Sequence, residues 1–490
     1  MSSPKHSVLI LDIGSSSVRA MLYDETAQPI LGASSIRSYS FEHPENGAAV
    51  TDAKTLRGLV ETCIDDLMTH HHMAGVMAVG AAAFADSLVG LDEMGTPITP
   101  VYSYADMRAA ATLDGLRAQF DAEAVHQRTG CVLHPAHRPA KLAWLRALDP
   151  AAFAQVAEWV DFPSYLYRAW LGEARCSFSL ASWSGLLDRH RLVWDKPLLE
   201  AVGVGLDQLP ILSDIDEPMH GLRGVYRDRW AALANVPFYP AVGDGAAANV
   251  GAGAIGDDRV ALTLGTTGAL RKIFASSEAP PLRTGLFGYR VDAHHHLIGG
   301  ASSEGGNIYA WAYRTLMLPH DADEQLRSRS VDAHGLTVLP LLAGERSPGY
   351  ALHATGVIEG LQLDTSPLDI LQAVMESVAL RLSLIYDQVD PTGTAAVYAG
   401  GGALRQSESW RQLIADALNR PIYMVSGVEG TMRGAAILTL CALRGESISD
   451  TAMLSLPAQT ITVVRPRPHA AEALARARDR QEKLYQQVIG

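Results

Sequence analysis

Asp244 lies between Gly243 and Gly245 in "VGDGAAANVGAG", and Asp12 ends the apolar run of "LILDIGSSSVRA". The two glycines let a substrate approach the backbone beside Asp244, which opens a helix of small residues. A helix N-terminus stabilises an ionised carboxylate and attracts anionic groups. Asp244 is therefore the leading catalytic candidate; the plain alternative is an ordinary N-cap, worth about 1 kcal/mol. Asp12 borders the turn Gly14-Ser15-Ser16, whose exposed N–H groups and hydroxyls suit phosphate. A carboxylate beside phosphate makes sense if it holds Mg²⁺ directly or through water; otherwise it caps the turn. Arg19 follows on the returning strand, either as a fork for phosphate oxygens or as a surface residue.

The turn is written twice. "LTLGTTGALRKIFA" (262–275) repeats the pattern of apolar strand, Gly, two small hydroxyl residues and apolar return, with Gly265, Thr266 and Thr267 in the turn. Two such turns on facing domains could clamp one polyphosphate, and the repetition carries more weight than either turn alone. A third glycine turn, "YAGGGALRQSESW" (398–410), leaves room at Gly401, Gly402 and Ala403 for a flat ring to lie against the backbone. His70–His72 and His294–His296 lack spaced Cys or carboxylate partners, and adjacent residues diverge on a helix or strand. Both runs are expected to be surface residues. Trp144, Trp311 and Trp410 fall in helical patterns and are expected in cores.

These residues need scaffolding. Residues 7–40 read as a hairpin of three strands, 54–70 as a helix, 76–84 as a buried strand, and 105–200 as helix-rich. After the strand–turn–helix of 237–256 the hairpin pattern restarts at Asp258, and 367–389 reads as a long amphipathic helix. Hairpins followed by helix–strand alternation, twice over, predict a duplicated α/β fold with its boundary near 253. A chain of 490 residues is too long for one core. The expectation is two domains, 1–252 and 253–490.

Composition narrows the class. The chain is 48% apolar and 19% charged, with a net charge of −13, which argues against nucleic acid or an anionic membrane as partner. Four dispersed cysteines without CxxC suggest neither disulfides nor zinc. No run of about 18 apolar residues and no signal-peptide core is present, so a cytoplasmic protein is expected. No residue pattern sets the oligomeric state; a homodimer stays open.

In order, "LDIGSSSVRA", "TPVYSYADMRA", "VGDGAAANVGAG", "LTLGTTG", "GERSPGY" and "AGGGALRQSESWRQLIADAL" resemble the motifs of the FGGY carbohydrate kinases, within the wider sugar kinase, Hsp70 and actin superfamily. The resemblance covers nearly the whole chain. It implies two ribonuclease-H-like (actin-like ATPase) domains around a central cleft, with sugar held mainly by the first and ATP by the second. By the same resemblance, Asp244 is the general base, and Asp12 and Asp244 are the carboxylates for Mg²⁺. Gly14, Ser15, Ser16 and Arg19 form the first phosphate motif, and Gly265, Thr266 and Thr267 the second. Gly401, Gly402, Ala403 and Gln406 face adenosine, and Asn307 borders the nucleotide, although Ala310 stands where the family usually has Gln.

The substrate strand departs from the family. "GERSPGY" and the segment 128–146 resemble the gluconokinase-like branch, which usually has an aromatic residue and His where this chain has Ala85 and Asp86. Tyr104 replaces the usual Trp, while Asp106 and Arg108 are retained. Ala85, Asp86, Tyr104, Asp106, His137, Asp244 and Gly245 are the expected sugar contacts. An Asp beside the pocket disfavours a sugar acid unless His137, Arg138 or Arg108 compensates, so a gluconate-like acid ranks first and a neutral ketose or polyol second. An actin- or Hsp70-like ATPase without sugar transfer is the alternative of another class. The insertion between 80 and 240 and the Asp244 motif argue against it.

Overall fold

The computed structural model describes residues 6–45, 47–427, 429–457 and 460–490. Strand β1 (Ser7–Ile13) is buried at every position, as a central strand covered on both faces must be. It pairs antiparallel with β2 (Ser17–Asp24), which pairs with β3 (Pro29–Ser38). Helix α1 (Ala53–Met68) leads to β4 (Val76–Ala83), parallel to β1. A long insertion of helices and very short strands follows, including α2 (Arg138–Leu148) and α3 (Phe178–Trp183). The chain returns as β5 (Val242–Gly243), parallel to β4, and enters α4 (Asp244–Gly251).

The second half repeats this plan. Its hairpin is β6 (Arg259–Leu264) and β7 (Gly268–Ala275), extended by β8 (Phe287–Arg290) and β9 (His295–Ser302). Helices α5 (Gly306–Thr315) and α6 (Pro367–Val389) precede β10 (Ala396–Gly400), which is parallel to β6. Then come α7 (Gly402–Gln406), β11 (Ile422–Val425), α8 (Gly430–Arg444) and β12 (Ile461–Val464). The sheets run β3-β2-β1-β4-β5 and β9-β7-β6-β10-β11, the latter flanked by β8 and β12. Strand for strand the order is the same, so the duplication read from the sequence exists in topology.

Period-two alternation along β1 sends Leu9, Leu11 and Ile13 to the core under α1 and Val8 and Ile10 to a second core shared by both halves. Asp12 has the parity of Val8 and Ile10, and so points toward the other half of the molecule. The shared core is closed by α8, which follows the second sheet in sequence yet packs on β1 and β4 of the first. Its partner is α4, and the two helices run antiparallel with backbone touching backbone. A Cβ on Gly434 would fall 1.8 Å from the Ala247 carbonyl oxygen, and one on Gly251 1.8 Å from that of Gly430.

Some expectations change. His295 and His296 are buried rather than on the surface, because β9 lies between β8 and β7 inside the second sheet. His295 Nδ1 bonds the Asp292 carboxylate (2.8 Å) and Nε2 the Ser449 hydroxyl (2.8 Å). His294, by contrast, is exposed, as is His71 of the other run. Trp410 is fully buried; Trp144 and Trp311 are only partly so, packing against the margins of the two cores. The four cysteines are buried and unpaired, and no helix among the described residues is long and apolar enough to cross a membrane.

The helix contact yields a stability prediction. Gly434→Ala forces a methyl group into a carbonyl and should lower unfolding free energy by about 3 kcal/mol. Gly58→Ala, in α1 with nothing within 4 Å of the added Cβ, should raise it by about 0.5–1 kcal/mol. Denaturant unfolding of the two variants against the parent measures both.

Candidate active site

Parallel strands bring the candidate residues to one edge. In the first sheet, Ala82 of β4 pairs with both Asp12 and Val242, and Ala83 with Ile13 and Gly243. The turn at Gly14, the segment Phe84–Asp86 and Asp244 therefore leave three neighbouring strands at the same level. In the second sheet Thr263 pairs with Gly400, so the Gly265 turn and the Gly401 turn also emerge together. Ligands of open parallel sheets bind outside such carboxyl ends.

The first turn is closed by Gly14 N–H donating to the Ser17 carbonyl (2.9 Å), with the Tyr39 hydroxyl donating to the Gly14 carbonyl (2.7 Å). Ser16 is exposed and Ser15 partly so. Asp12 is buried, and desolvation raises its pKa to about 6; Arg19 offsets part of that rise while Asp244 and Glu429 add to it. Arg19 reaches Asp12 at 3.6 Å and Glu429 at 2.8 Å, so its charge is directed at two carboxylates and its Nε has no hydrogen-bond partner. Glu429, at the start of α8, was not singled out in the sequence.

The second turn is open. Gly265 N–H donates to the Thr267 carbonyl (3.0 Å), Thr266 and Thr267 are exposed, and nothing lies within 4 Å of a Cβ added at Gly265, Gly400 or Gly402. Gly401 differs: its φ of +109° and its approach to the Leu264 backbone require glycine. A Cβ on Gly306 would sit 2.8 Å from the Gly265 carbonyl oxygen and 3.7 Å from the Ala403 methyl, which places the turn, the start of α5 and the start of α7 together. Asn307 donates its backbone N–H to Thr266 (3.1 Å), while its side-chain oxygen accepts from Gly305 and Ile308 (2.8 Å each). Its amide shapes this loop. Gln406 is exposed at the end of α7.

Asp244 opens α4 and is partly exposed. Burial of its carboxylate raises its pKa, opposed by the charge of Arg271 and by the Gly245 N–H bond to Oδ1 (2.6 Å). Sequence reasoning missed the groups around it. The Trp183 indole backs Gly243 and Gly245, with a Cβ on either falling 2.9 Å from it, and stacks on Tyr289 at 4.1 Å. Arg271 sits over Gly245 from β7. Both Arg271 and the "GERSPGY" segment carrying Arg346 stood inside quoted motifs; nothing local marked either side chain as facing the cleft.

On the sugar side, Asp86 is buried with φ +57°, a left-handed conformation Asp tolerates better than most residues. Its Oδ2 accepts from His137 Nδ1 (2.9 Å), which also faces the Trp183 carbonyl (3.1 Å); two acceptors require Nδ1 to carry the hydrogen. Arg138 approaches Oδ1 at 3.9 Å, and that oxygen has no hydrogen-bond partner. Ala85 is buried beside it, and Tyr104 is 41% exposed. Asp106 departs from expectation. It is 1% exposed, and its oxygens are taken by Arg108 and by the Ala49 N–H (3.2 Å). It braces its loop instead of facing the cleft.

Two other features hold none of these residues. A surface cavity of about 730 Å³ is lined by Leu192, Trp194, Leu206 and Ile211 among others. Asp332, His334 and Glu376 cluster within 4.8 Å. However, His334 Nδ1 accepts from Leu336 N–H, which leaves Nε2 as the donor to Glu376 (3.1 Å) and not a metal ligand.

A duplicated strand order, with a glycine turn at the carboxyl end of the first strand in each half, agrees with the family models: residues 7–251 match the N-terminal domain and 260–443 the C-terminal domain of the FGGY family of carbohydrate kinases. The chain belongs to the FGGY family. It is a carbohydrate kinase, a phosphotransferase, and kinases of this family use ATP. The chain is 25% identical to a gluconokinase of Bacillus licheniformis over 450 residues, covering 89% of this chain and 87% of that one. It is 27% identical to a xylulose kinase of Escherichia coli over 489 residues, 98% of each. Solved structures of a xylulose kinase and a gluconate kinase from Lactobacillus acidophilus each superpose with a TM-score of 0.90 at 24% identity over 98% of both chains, which establishes the two-domain fold.

Asp12 makes a prediction about this kinase. Folded, it keeps its proton up to about pH 6; unfolded, it releases it near 3.8. Between those values the unfolded state binds fewer protons, so stability falls as pH rises and stays lowered above about 6. Asp12→Asn should therefore stabilise the ligand-free enzyme by on the order of 1–3 kcal/mol at about pH 7.5, and by less at about pH 4.5. Thermal unfolding at the two pH values measures it, and phosphoryl transfer by the stabilised variant should be impaired.

Proposed function

We propose that this kinase transfers the γ-phosphoryl group of ATP to a hydroxyl of a gluconate-like sugar acid, with Asp244 as general base. The hydroxyl oxygen attacks phosphorus, the bond to the ADP oxygen breaks, and the proton passes to the Asp244 carboxylate. Two features support that role. Burial makes Asp244 a stronger base than a free aspartate, and the Gly245 N–H fixes one of its oxygens, leaving the other for the proton. The first half, residues 1–252, supplies the sugar pocket with Ala85, Asp86, His137 and Tyr104; the second, 253–490, supplies the nucleotide cradle.

The residues fit the groups this chemistry needs. Gly265, Gly400 and Gly402 leave backbone open where a Cβ would meet only free space, which suits phosphates and a flat base. Asp12 is a buried carboxylate whose pKa is raised chiefly by desolvation and further by Asp244 and Glu429, a cost that a bound cation would offset. Asp12, with Asp244 beside it, would hold Mg²⁺, which neutralises charge on the phosphates when bound.

One observation carries the choice of a sugar acid: Asp86 is already partnered. With His137 hydrogen-bonded to it and Arg138 at 3.9 Å, its charge is partly offset, and the repulsion that counted against a substrate carboxylate is reduced. The gluconokinase relatives agree with this. A neutral ketose or polyol is the second reading, favoured by the unpartnered Asp86 Oδ1, which could accept from a hydroxyl.

ADP formation from MgATP should require an added sugar acid. Asp244→Asn should lower turnover about 10²–10⁴-fold with little change in the KM for ATP. ADP release independent of any sugar would instead indicate an ATPase of the actin or Hsp70 kind.

A further inference from the structure

Arg271 is a guanidinium held in the cleft with no hydrogen-bond or ion-pair partner for its side chain among the described residues. It rises from β7 on the same face as Ala269 and Ile273, which belong to the core shared by the two halves. Its head lies on the backbone beside the base: a Cβ on Gly245 would be 3.0 Å from Nε and 3.1 Å from Cζ. The side chain donates no hydrogen bond among the described residues, and its buried Nε is unsatisfied. Asp244 is not within the 4.0 Å of an ion pair, although its charge acts on Arg271. Arg346, from "GERSPGY", adds a second positive charge to the same field. The only hydrogen bond of its side chain among the described residues goes to the Ser302 carbonyl (2.8 Å), and no described carboxylate lies within 4.0 Å. Glu304 does not balance the pair, because burial raises its pKa to about 7.

A partly buried guanidinium whose buried Nε is left unpaired is costly and calls for an anion. Two anions enter this cleft, the transferring phosphoryl group and a substrate carboxylate. Position separates them. Arg271 pairs with Ala261, three residue pairs below the Leu264–Gly268 pair that closes the second phosphate turn, or about 10 Å along the strand. It lies over Gly245 and the Trp183 indole, on the side of Asp244 where the acceptor must sit. We propose that Arg271, backed by the charge of Arg346, binds the carboxylate of the sugar-acid substrate and sets the preference of this kinase for acids over neutral polyols. The assignment rests on the sugar-acid reading above.

The test compares D-gluconate with D-glucitol, the polyol of the same length, in the parent, Arg271→Gln and Arg271→Lys. The glutamine variant should raise the KM for gluconate about 10- to 100-fold, the scale of a lost charge-assisted hydrogen bond. The KM for MgATP should stay within about threefold, and any activity on glucitol should change far less than the KM for gluconate. Lysine, with charge but no fork, should fall between. Thermal stabilisation by gluconate without nucleotide should be present in the parent and lost in Arg271→Gln, which reports binding apart from turnover and shows that the variant is folded. An unchanged KM for gluconate overturns the assignment while leaving the sugar-acid reading intact. So does a loss of turnover shared by both substrates, or a raised KM for MgATP, since Arg271 would then serve Asp244 or the phosphoryl group. A parent enzyme that phosphorylates glucitol or ketoses and no sugar acid refutes the reading and this proposal together.

Discussion

The contact on which the rest depends is between backbones: Ala247 against Gly434, and Gly430 against Gly251. Each helix of that pair, α4 or α8, follows the last parallel strand of its own sheet, so the pair is where the two repeats meet. Without side chains between them, the axes approach as closely as helices can, and small residues in both helices extend the seam. The exchange goes further. Helix α8 covers β1 and β4 of the other repeat, close enough that a Cβ on Gly80 would strike the Thr439 hydroxyl at 1.8 Å. Helix α4 reaches β7 through Asn249, whose amide donates to the Arg271 carbonyl (3.0 Å). Asp244 at the head of α4 and Glu429 before α8 are thereby set against strands of the opposite half, and the cleft inherits its width from the glycine seam.

That arrangement leaves charges less well met than folding alone would favour. Asp12 and Asp244 both have raised pKa values, Arg19, Arg138 and Arg271 each have an unsatisfied buried nitrogen, and Asp86 takes a left-handed backbone. Several buried charges elsewhere are satisfied at short range, Arg381 by Glu345 and His295 by Asp292, and Arg290 and Arg433 by backbone carbonyls. The contrast supports placing the working surface there. Local imperfection gathers at the edge where five motifs converge, as expected where a sequence serves function as well as stability.

The repeated hairpins, the helix of 367–389 and the glycine-flanked Asp244 were legible because local patterns set them: period-two alternation, 3.6-residue periodicity and glycine turns. What could not be read was long-range. That α8 packs on the first sheet depends on a face whose partner lies some 350 residues away in sequence. Asp106 and Asn307 looked available because motif spacing records identity and not direction; their polar atoms turn inward onto Arg108 and Gly305. Asp86 could not be weighed until His137 and Arg138, about fifty residues on, were placed beside it. The histidines of β9 misled for the opposite reason, since a polar run gives no sign that its strand is central.

Under the mechanism proposed above, the duplication also explains why only one side of the seam would do chemistry. Asp244-Gly245 and Glu429-Gly430 occupy matching places, each a carboxylate and glycine at the start of the helix after the last parallel strand. Each faces an arginine from the second strand of the opposite repeat, Arg271 on β7 and Arg19 on β2. The strand positions differ by two residues: Arg19 pairs with Asp12 one step below its turn, and Arg271 with Ala261 three steps below. A shift of two keeps the same face of the strand and moves the side chain about 7 Å. On one side the pair is closed, with Arg19 and Glu429 at 2.8 Å and Asp12 adding a third charge. On the other the longer offset leaves Arg271 outside ion-pair distance of Asp244, so the two charges act on each other without closing into a pair. A closed pair ties the halves together, whereas an open one can accept a hydroxyl at its carboxylate and an anion at its guanidinium. On the proposed reading, a shift of two residues in strand register separates a structural salt bridge from a substrate site.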